Sequence, residues 1–149
     1  MKVPADAGKI LLPLARDAIQ TTLLEQADPV IPEATSWLQE EGASFVTLTE
    51  NANLRGCIGS LEEYRPLGRD VIENARSAAF QDPRFPAVTQ TELPAIQIEV
   101  SVLSPRVTLQ AGSEAEVISQ LKPQVSGVVI NAGYARATFL PQVWEQLPD

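Results

Sequence analysis

The stretch LRGCIGSLEEYRP, Leu54 to Pro66, holds the one cysteine of the chain. Cys57 lies between Gly56 and Gly59, two residues after Arg55. Three uses stand open for it: reaction, binding, or filling a small space as a buried hydrophobe. Read as a strand, the segment alternates faces, so Leu54, Gly56 and Ile58 share one side and Arg55, Cys57 and Gly59 the other. Same-face neighbours lie about 6.6 Å apart, which an arginine head can span. A cation over a thiol raises its thiolate fraction. Cys57 and Arg55 are therefore the candidate catalytic pair. Gly56 and Gly59 weaken a strand unless something needs the room: a bulge, a close helix, or a ligand against bare amides. In the last case they belong to a binding site.

Two further groups could join it. In FQDPRF, Asp82 and Arg84 can pair to fasten a loop or line a pocket rim. Glu99 is a carboxylate in an otherwise apolar strand; it should face water or a cleft unless Arg55 or Arg84 pairs with it inside. The chain has no histidine. That removes Ser-His-Asp and Cys-His catalysis, histidine metal sites and the usual pH switch. Acids alone could hold magnesium, but no carboxylate pair is spaced to suggest it. No metal and no resident cofactor are expected. There is no Gly-rich dinucleotide fingerprint and no phosphate loop.

These residues need a scaffold, and 149 residues suit one domain over 1–149. A single cysteine fits a reducing cytoplasm. No apolar run approaches a membrane span, and the N-terminus lacks a secretory pattern. A soluble cytoplasmic protein is the expectation. The net charge of −8 disfavours nucleic acid as a partner. The charge is uneven, however: residues 55–84 carry five arginines against five acids. Such a patch is either a solvated face laced with ion pairs or a local anion site.

Periodicity supplies the elements. Leu11, Leu14, Ala15, Ala18 and Leu23 predict a helix starting near Ile10 to Leu12 and ending near Gln26, with Pro13 in its first turn. SFVTLTE reads as a strand, NAN (51–53) as a turn, and LRGCIGSL as the returning strand of a hairpin. Leu67, Val71, Ala75, Ala78 and Ala79 mark a second helix with Pro66 at its first position. Ile96, Ile98, Val100 and Val102 alternate against polar residues in the clearest half-buried strand. Ser113 and Glu116 form a capping box before a short helix to Leu121. GVVIN and YARATFL form another hairpin, and PQVWEQL a final helical turn. Tyr64 and Trp37 read as partial core, Phe139 and Trp144 as packing anchors. Hairpins mixed with helices argue for an α+β fold with a mixed, largely antiparallel sheet and flanking helices.

At LRGCIG, SAAFQDPRF, ELPAIQIEVSVLSP and ATFLPQVWEQLPD, the chain resembles the AMMECR-one domain family. Its bacterial and archaeal branch is called AmmeMemoRadiSam system protein A. The resemblance implies two subdomains around a mixed sheet and a functional site at LRGCIG, which falls on Leu54 to Gly59. It implies no settled activity. The branch name implies Memo-like and radical-SAM proteins as partners. Family members continue past LPD, so a covering C-terminal element is expected to be absent or trimmed, leaving apolar surface.

Two functions follow. In one, Cys57 is a nucleophile or thiol acceptor, Arg55 steadies the thiolate or an anionic group, and amides near Gly56 and Gly59 hold developing charge. Glu99 is the candidate base. In the other, the groove at Arg55, Cys57 and Arg84 is an adaptor site that presents a small anionic ligand or protein segment to partner enzymes.

Overall fold

A computed structural model describes residues 1–145. The chain divides into two compact units, the first Met1–Pro105 and the second from Arg106 onward.

The first unit is a helix-on-sheet sandwich. Helix α1 spans Gly8–Leu23, strands β1 and β2 span Ser44–Glu50 and Asn53–Gly59, helix α2 spans Leu67–Phe80, and β3 spans Ile96–Val102. The strands form an antiparallel sheet in the order β2-β1-β3. Both helices pack on one of its faces, α2 over β1 and β2, α1 over β3 and α2. The side chains of Ser44, Val46 and Leu48 alternate into that layer and are buried. Leu67, Val71 and Ile72 of α2 and Ile19 of α1 complete a core with almost no exposure. Burial of each such aliphatic side chain contributes about 1.5–3 kcal/mol.

The elements stand close to where periodicity puts them, with two differences at helix starts. Helix α1 begins at Gly8, so Pro13 lies inside the helix rather than in its first turn. The missing amide costs one bond of the ladder, and the burial of Leu11, Leu14, Ala15, Ala18 and Ile19 holds the helix together around it. Pro66 caps α2 from just outside, with extended backbone, rather than opening the helix. Trp37 packs against the core, but Tyr64 is 61% exposed. Its ring lies under the Arg65 guanidinium instead, 4.7 Å from its centroid.

The second unit holds helix α3 (Glu114–Gln120) and a hairpin of β4 (Val128–Ala132) and β5 (Ala135–Phe139). The Ser113 hydroxyl accepts the Glu116 amide at 3.3 Å, as a capping box requires. The Glu116 carboxylate reaches one residue further back, to the Gly112 amide. Gly133 supplies the left-handed residue of the hairpin turn, at φ +60°. Phe139 is 41% exposed, whereas the Trp144 indole donates to the Ser126 carbonyl at 2.8 Å. The final helical turn covers Pro141–Glu145, and the rest of the expected PQVWEQL segment lies outside the described residues. Among the described residues, no helix is long and apolar enough to cross a membrane.

Candidate functional site

The hairpin turn sets the site. Asn51 and Ala52 both adopt left-handed backbone, which joins β1 to β2 through the tight turn that strand twist favours. The register then shifts: Thr49 faces Leu54, but Leu48 faces Gly56, so Arg55 is an extra, unpaired residue. This β-bulge changes which side chains share a face. Leu54, Cys57 and Gly59 stand opposite Thr49, Thr47 and Phe45 and share the face away from the helices. Gly56 and Ile58 stand on the helix side, opposite Leu48 and Val46. Strict alternation placed Leu54 with Gly56 and Arg55 with Cys57; the bulge corrects both.

Each glycine has its own reason. A Cβ on Gly56 would stand 2.1 Å from the Ala78 carbonyl oxygen, so α2 can approach β2 only because that side chain is missing. A Cβ on Gly59 would stand 2.2 Å from the Phe45 ring, which lies across it.

Arg55 turns away from the ladder into a polar anchor. Its Nε donates to Glu92 Oε1 at 3.0 Å and its Nη1 to the Pro86 carbonyl at 2.8 Å. Its side chain is 11% exposed. The Thr89 amide first, and then the Arg55 guanidinium, hold the Glu92 carboxyl below its ordinary value. The guanidinium beside Cys57 is instead that of Arg84, whose Nη2 donates to the Cys57 carbonyl at 3.4 Å. The placement of Arg55 over the sulfur is therefore corrected: Arg55 is held by Glu92 and Pro86, and Arg84 stands at the Cys57 carbonyl.

Arg84 and Asp82 together cover the outer edge of β2. Asp82 Oδ2 accepts the Cys57 amide at 2.9 Å. Its two oxygens also take Arg84 Nε at 3.0 Å and Nη2 at 2.8 Å in a forked pair. A carboxylate and a guanidinium thus satisfy the amide and carbonyl of one edge residue, as a further strand would. Asp82 is buried, while the Arg84 side chain is 55% exposed. The hydrogen bond from Arg84 is the main cause holding the Asp82 carboxyl far below the carboxylate range, and it raises Arg84 in turn. Arg84 Nη1 has no hydrogen-bond partner among the described residues.

Cys57 is half-buried, and its sulfur lies 3.2 Å from the Thr47 hydroxyl. Thr47 faces Glu99 on its other side. A row of thiol, hydroxyl and carboxylate therefore crosses the three strands on one face. Glu99 is exposed on β3, and Ser101 Oγ lies 3.4 Å from its Oε1. Among the described residues, no group of three His, Cys, Asp or Glu side chains is placed to hold a metal ion.

The arginine-rich patch is laced with ion pairs. Arg55, Arg65, Arg69, Arg76 and Arg84 each hold a carboxylate. Asp28, bonded first by Arg76 and then by Arg69, has its pKa lowered to about 2.

Sequence reasoning missed Thr47 and a second polar cluster behind the strand. Asp70 is fully buried in α2. Its Oδ2 accepts the Ser44 amide, the Ser44 hydroxyl and Asn74 Nδ2 at 2.7–2.9 Å. Its Oδ1 accepts the Ser60 hydroxyl at 2.6 Å and Arg65 Nε at 2.7 Å. The cluster ties the start of β1 and the end of β2 to α2. The spacing of Asp70 and Asn74, four apart and each beside an apolar position of the helix, was the available signal.

These features define a class: an α+β protein in which an LRGCIG edge strand is fastened to its helix layer and closed by an FQDPRF loop. Residues 12–148 match the AMMECR1 family model. The chain belongs to the AMMECR1 family. A protein of Methanothermobacter thermautotrophicus is 41% identical over 139 residues, covering 93% of this chain and 72% of that protein. One of Methanosarcina acetivorans is 36% identical over 140 residues, covering 91% and 70%. The crystal structure of the uncharacterized protein PH0010 from Pyrococcus horikoshii superposes with a TM-score of 0.89 at 32% identity, over 99% of this chain and 75% of that one.

Proposed function

We propose that the protein acts through the Cys57 thiol on a substrate whose anionic group is received by Arg84. The observation that carries this reading is the pairing of a half-buried cysteine with a half-exposed arginine side chain bonded to that cysteine's carbonyl. Asp82 fixes the guanidinium plane, and Nη1 offers its donors outward. The Thr47 hydroxyl lies within hydrogen-bond distance of the sulfur, and Glu99, its register partner on β3, is the carboxylate we assign to take the proton. Gly56 and Gly59 support the site by letting the helix and Phe45 close around the strand, rather than by opening its amides to a ligand. Arg55 supports the fold beneath it, by tying the bulge of β2 to Glu92 and the Pro86 carbonyl.

A cytoplasmic location and Memo-like and radical-SAM partners belong to this proposal, since the family resemblance implies such a system. A second reading has its own observation. Asp82 neutralises Arg84, so little unpaired positive charge remains beside Cys57 to hold a thiolate, while Nη1 keeps its hydrogen-bond donors. That favours an adaptor that holds a small anion or a protein segment for partner enzymes without reacting.

Alkylation of the folded protein separates the readings. A reacting thiol predicts that iodoacetamide labels native Cys57 at least as fast as a free cysteine peptide. Labelling only after unfolding would discard the catalytic reading. Native labelling together with full partner binding and full system activity in Cys57→Ala would leave the adaptor.

A further inference from the structure

The sheet has a second edge, on β3. The Leu103 amide donates to the Ala43 carbonyl, and the pairs Phe45–Ser101, Thr47–Glu99 and Thr49–Gln97 continue that register. Antiparallel alternation then turns the amides and carbonyls of Gln97, Glu99 and Ser101 toward β1 and those of Ile98, Val100 and Val102 outward. Arg16 agrees with this sense: its Nη2 donates to the outward carbonyl of Ile96 at 2.6 Å. Past that cap, the outward groups of Ile98 and Val100 have no hydrogen-bond partner among the described residues.

A hollow of about 430 Å³ runs along this edge, with Ala7, Leu11 and Leu12 of the α1 segment on one side and Ile98 and Val100 on the other. A second hollow, also about 430 Å³, continues it through the shared residues Val3 and Val102. That end is rimmed by Glu40, Glu41 and Glu63. The acidic end already draws one cation, the Met1 ammonium, to within 3.6 Å of Glu40. The trench is thus mainly apolar beside α1, where Glu99 is the one charged residue in its lining, and negative beyond Val102.

We propose that the β3 edge receives an extended peptide strand from a partner, apolar at alternate positions over α1 and basic over Glu40, Glu41 and Glu63. Backbone hydrogen bonds to Ile98, Val100 and Val102 supply the pairing, and alternate side chains enter the apolar hollow. Antiparallel addition is favoured, which places the basic residues first in the peptide. A second copy of the chain fits less well, because each copy carries a net charge of −8. The pairing needs no reaction at Cys57, although Glu99, assigned above to the proton of that thiol, also lines the hollow.

The test uses a synthetic peptide, Lys-Lys-Thr-Val-Thr-Val-Thr-Val, and a control with two glutamates in place of the lysines. The expected result is slowed deuterium exchange at the amides of Ile98, Val100 and Val102 with the lysine peptide alone. Affinity should fall about tenfold when salt rises from about 0.05 M to about 0.5 M. Val100→Pro removes an outward donor while leaving the β1 ladder intact, and should abolish protection. Glu41→Lys should weaken the lysine peptide by about tenfold and improve the glutamate control. Equal binding of both peptides, or no protection by either, overturns the proposal. Protection already present without peptide also overturns it: independence of protein concentration would assign the edge to the chain itself, and dependence to a second copy.

Discussion

Asp82 Oδ2 accepts the Cys57 amide proton at 2.9 Å across 25 residues of sequence. One carboxylate thereby couples the edge of β2, the loop after α2 and the Arg84 guanidinium. Its pKa lies below that of the unfolded chain, so the unfolded state takes up the proton first as pH falls. The stabilisation is complete above about pH 5 and is lost progressively as pH falls below about 4. Asp82→Asn should therefore flatten the acid limb of a urea-midpoint profile measured from pH 7 to pH 3. Part of the slope should persist, because Glu92 is shifted the same way. An unchanged acid limb in Asp82→Asn would show that the carboxylate contributes no pH-dependent stability.

The exchange of roles between Arg55 and Arg84 gives opposite expectations for two similar substitutions. Arg55→Ala takes the donor from Glu92 Oε1 and from the Pro86 carbonyl, leaving Glu92 only its bonds from Thr89, and should cost about 2 kcal/mol in urea unfolding. Labelling of native Cys57 should stay near that of the parent. Arg84→Ala removes the guanidinium and leaves the Asp82 carboxylate uncompensated, so it should slow labelling by iodoacetate relative to iodoacetamide by about fivefold, since a unit charge near 4 Å in water is worth about 1 kcal/mol. Equal slowing of both reagents would mean that Arg84 recognises no anion.

Much of this scaffold is legible in the residues, and the failures have a common physical origin. SFVTLTE and AIQIEVSV show their alternation because one face of each strand packs on helices. The helical face of Leu67, Val71, Ala75, Ala78 and Ala79 is equally plain. Alternation fails at Arg55 because a bulge inserts one residue, and period-two reading carries the error onto Leu54. The cover on Cys57 was hidden because Asp82 and Arg84 reach it only after α2 has folded back over the strand. FQDPRF was readable as a fastened loop, but nothing local says which strand it fastens.

The two glycines around the thiol should respond differently to a methyl group. Gly56→Ala drives a Cβ into a backbone carbonyl of α2, so the helix itself must move. A cost of about 3 kcal/mol or more is expected, at the upper end for overpacking. Gly59→Ala meets the ring of Phe45, a side chain that can be removed. The double variant Gly59→Ala/Phe45→Ala should show a favourable coupling of at least about 1 kcal/mol relative to the sum of the singles. Gly56→Ala combined with Phe45→Ala should be additive. Urea melts of the parent and the five variants decide it, and rescue of Gly56→Ala by Phe45→Ala would contradict the assignment of each glycine to its neighbour.

Asp70 shows how the strand beneath the site is held in place. Five donors converge on its two oxygens, among them the Ser44 amide of β1 and the Ser60 hydroxyl just past β2. No buried side-chain nitrogen or oxygen among the described residues is left without a partner, so the cluster is fully satisfied. Removing its acceptor leaves several buried donors unpaired at once. Asp70→Ala should therefore destabilise by about 3–5 kcal/mol, the range for breaking a buried pair by losing one member. Asp70→Asn keeps the shape but presents an amide where donors already crowd, and should recover little of that loss. Ser60→Ala removes one donor and leaves four, so its cost should stay near 1 kcal/mol. Equilibrium unfolding of the three variants checks the order, and an Asp70→Asn protein as stable as the parent would show that the charge on the carboxylate does not hold β1 and β2 to the helix.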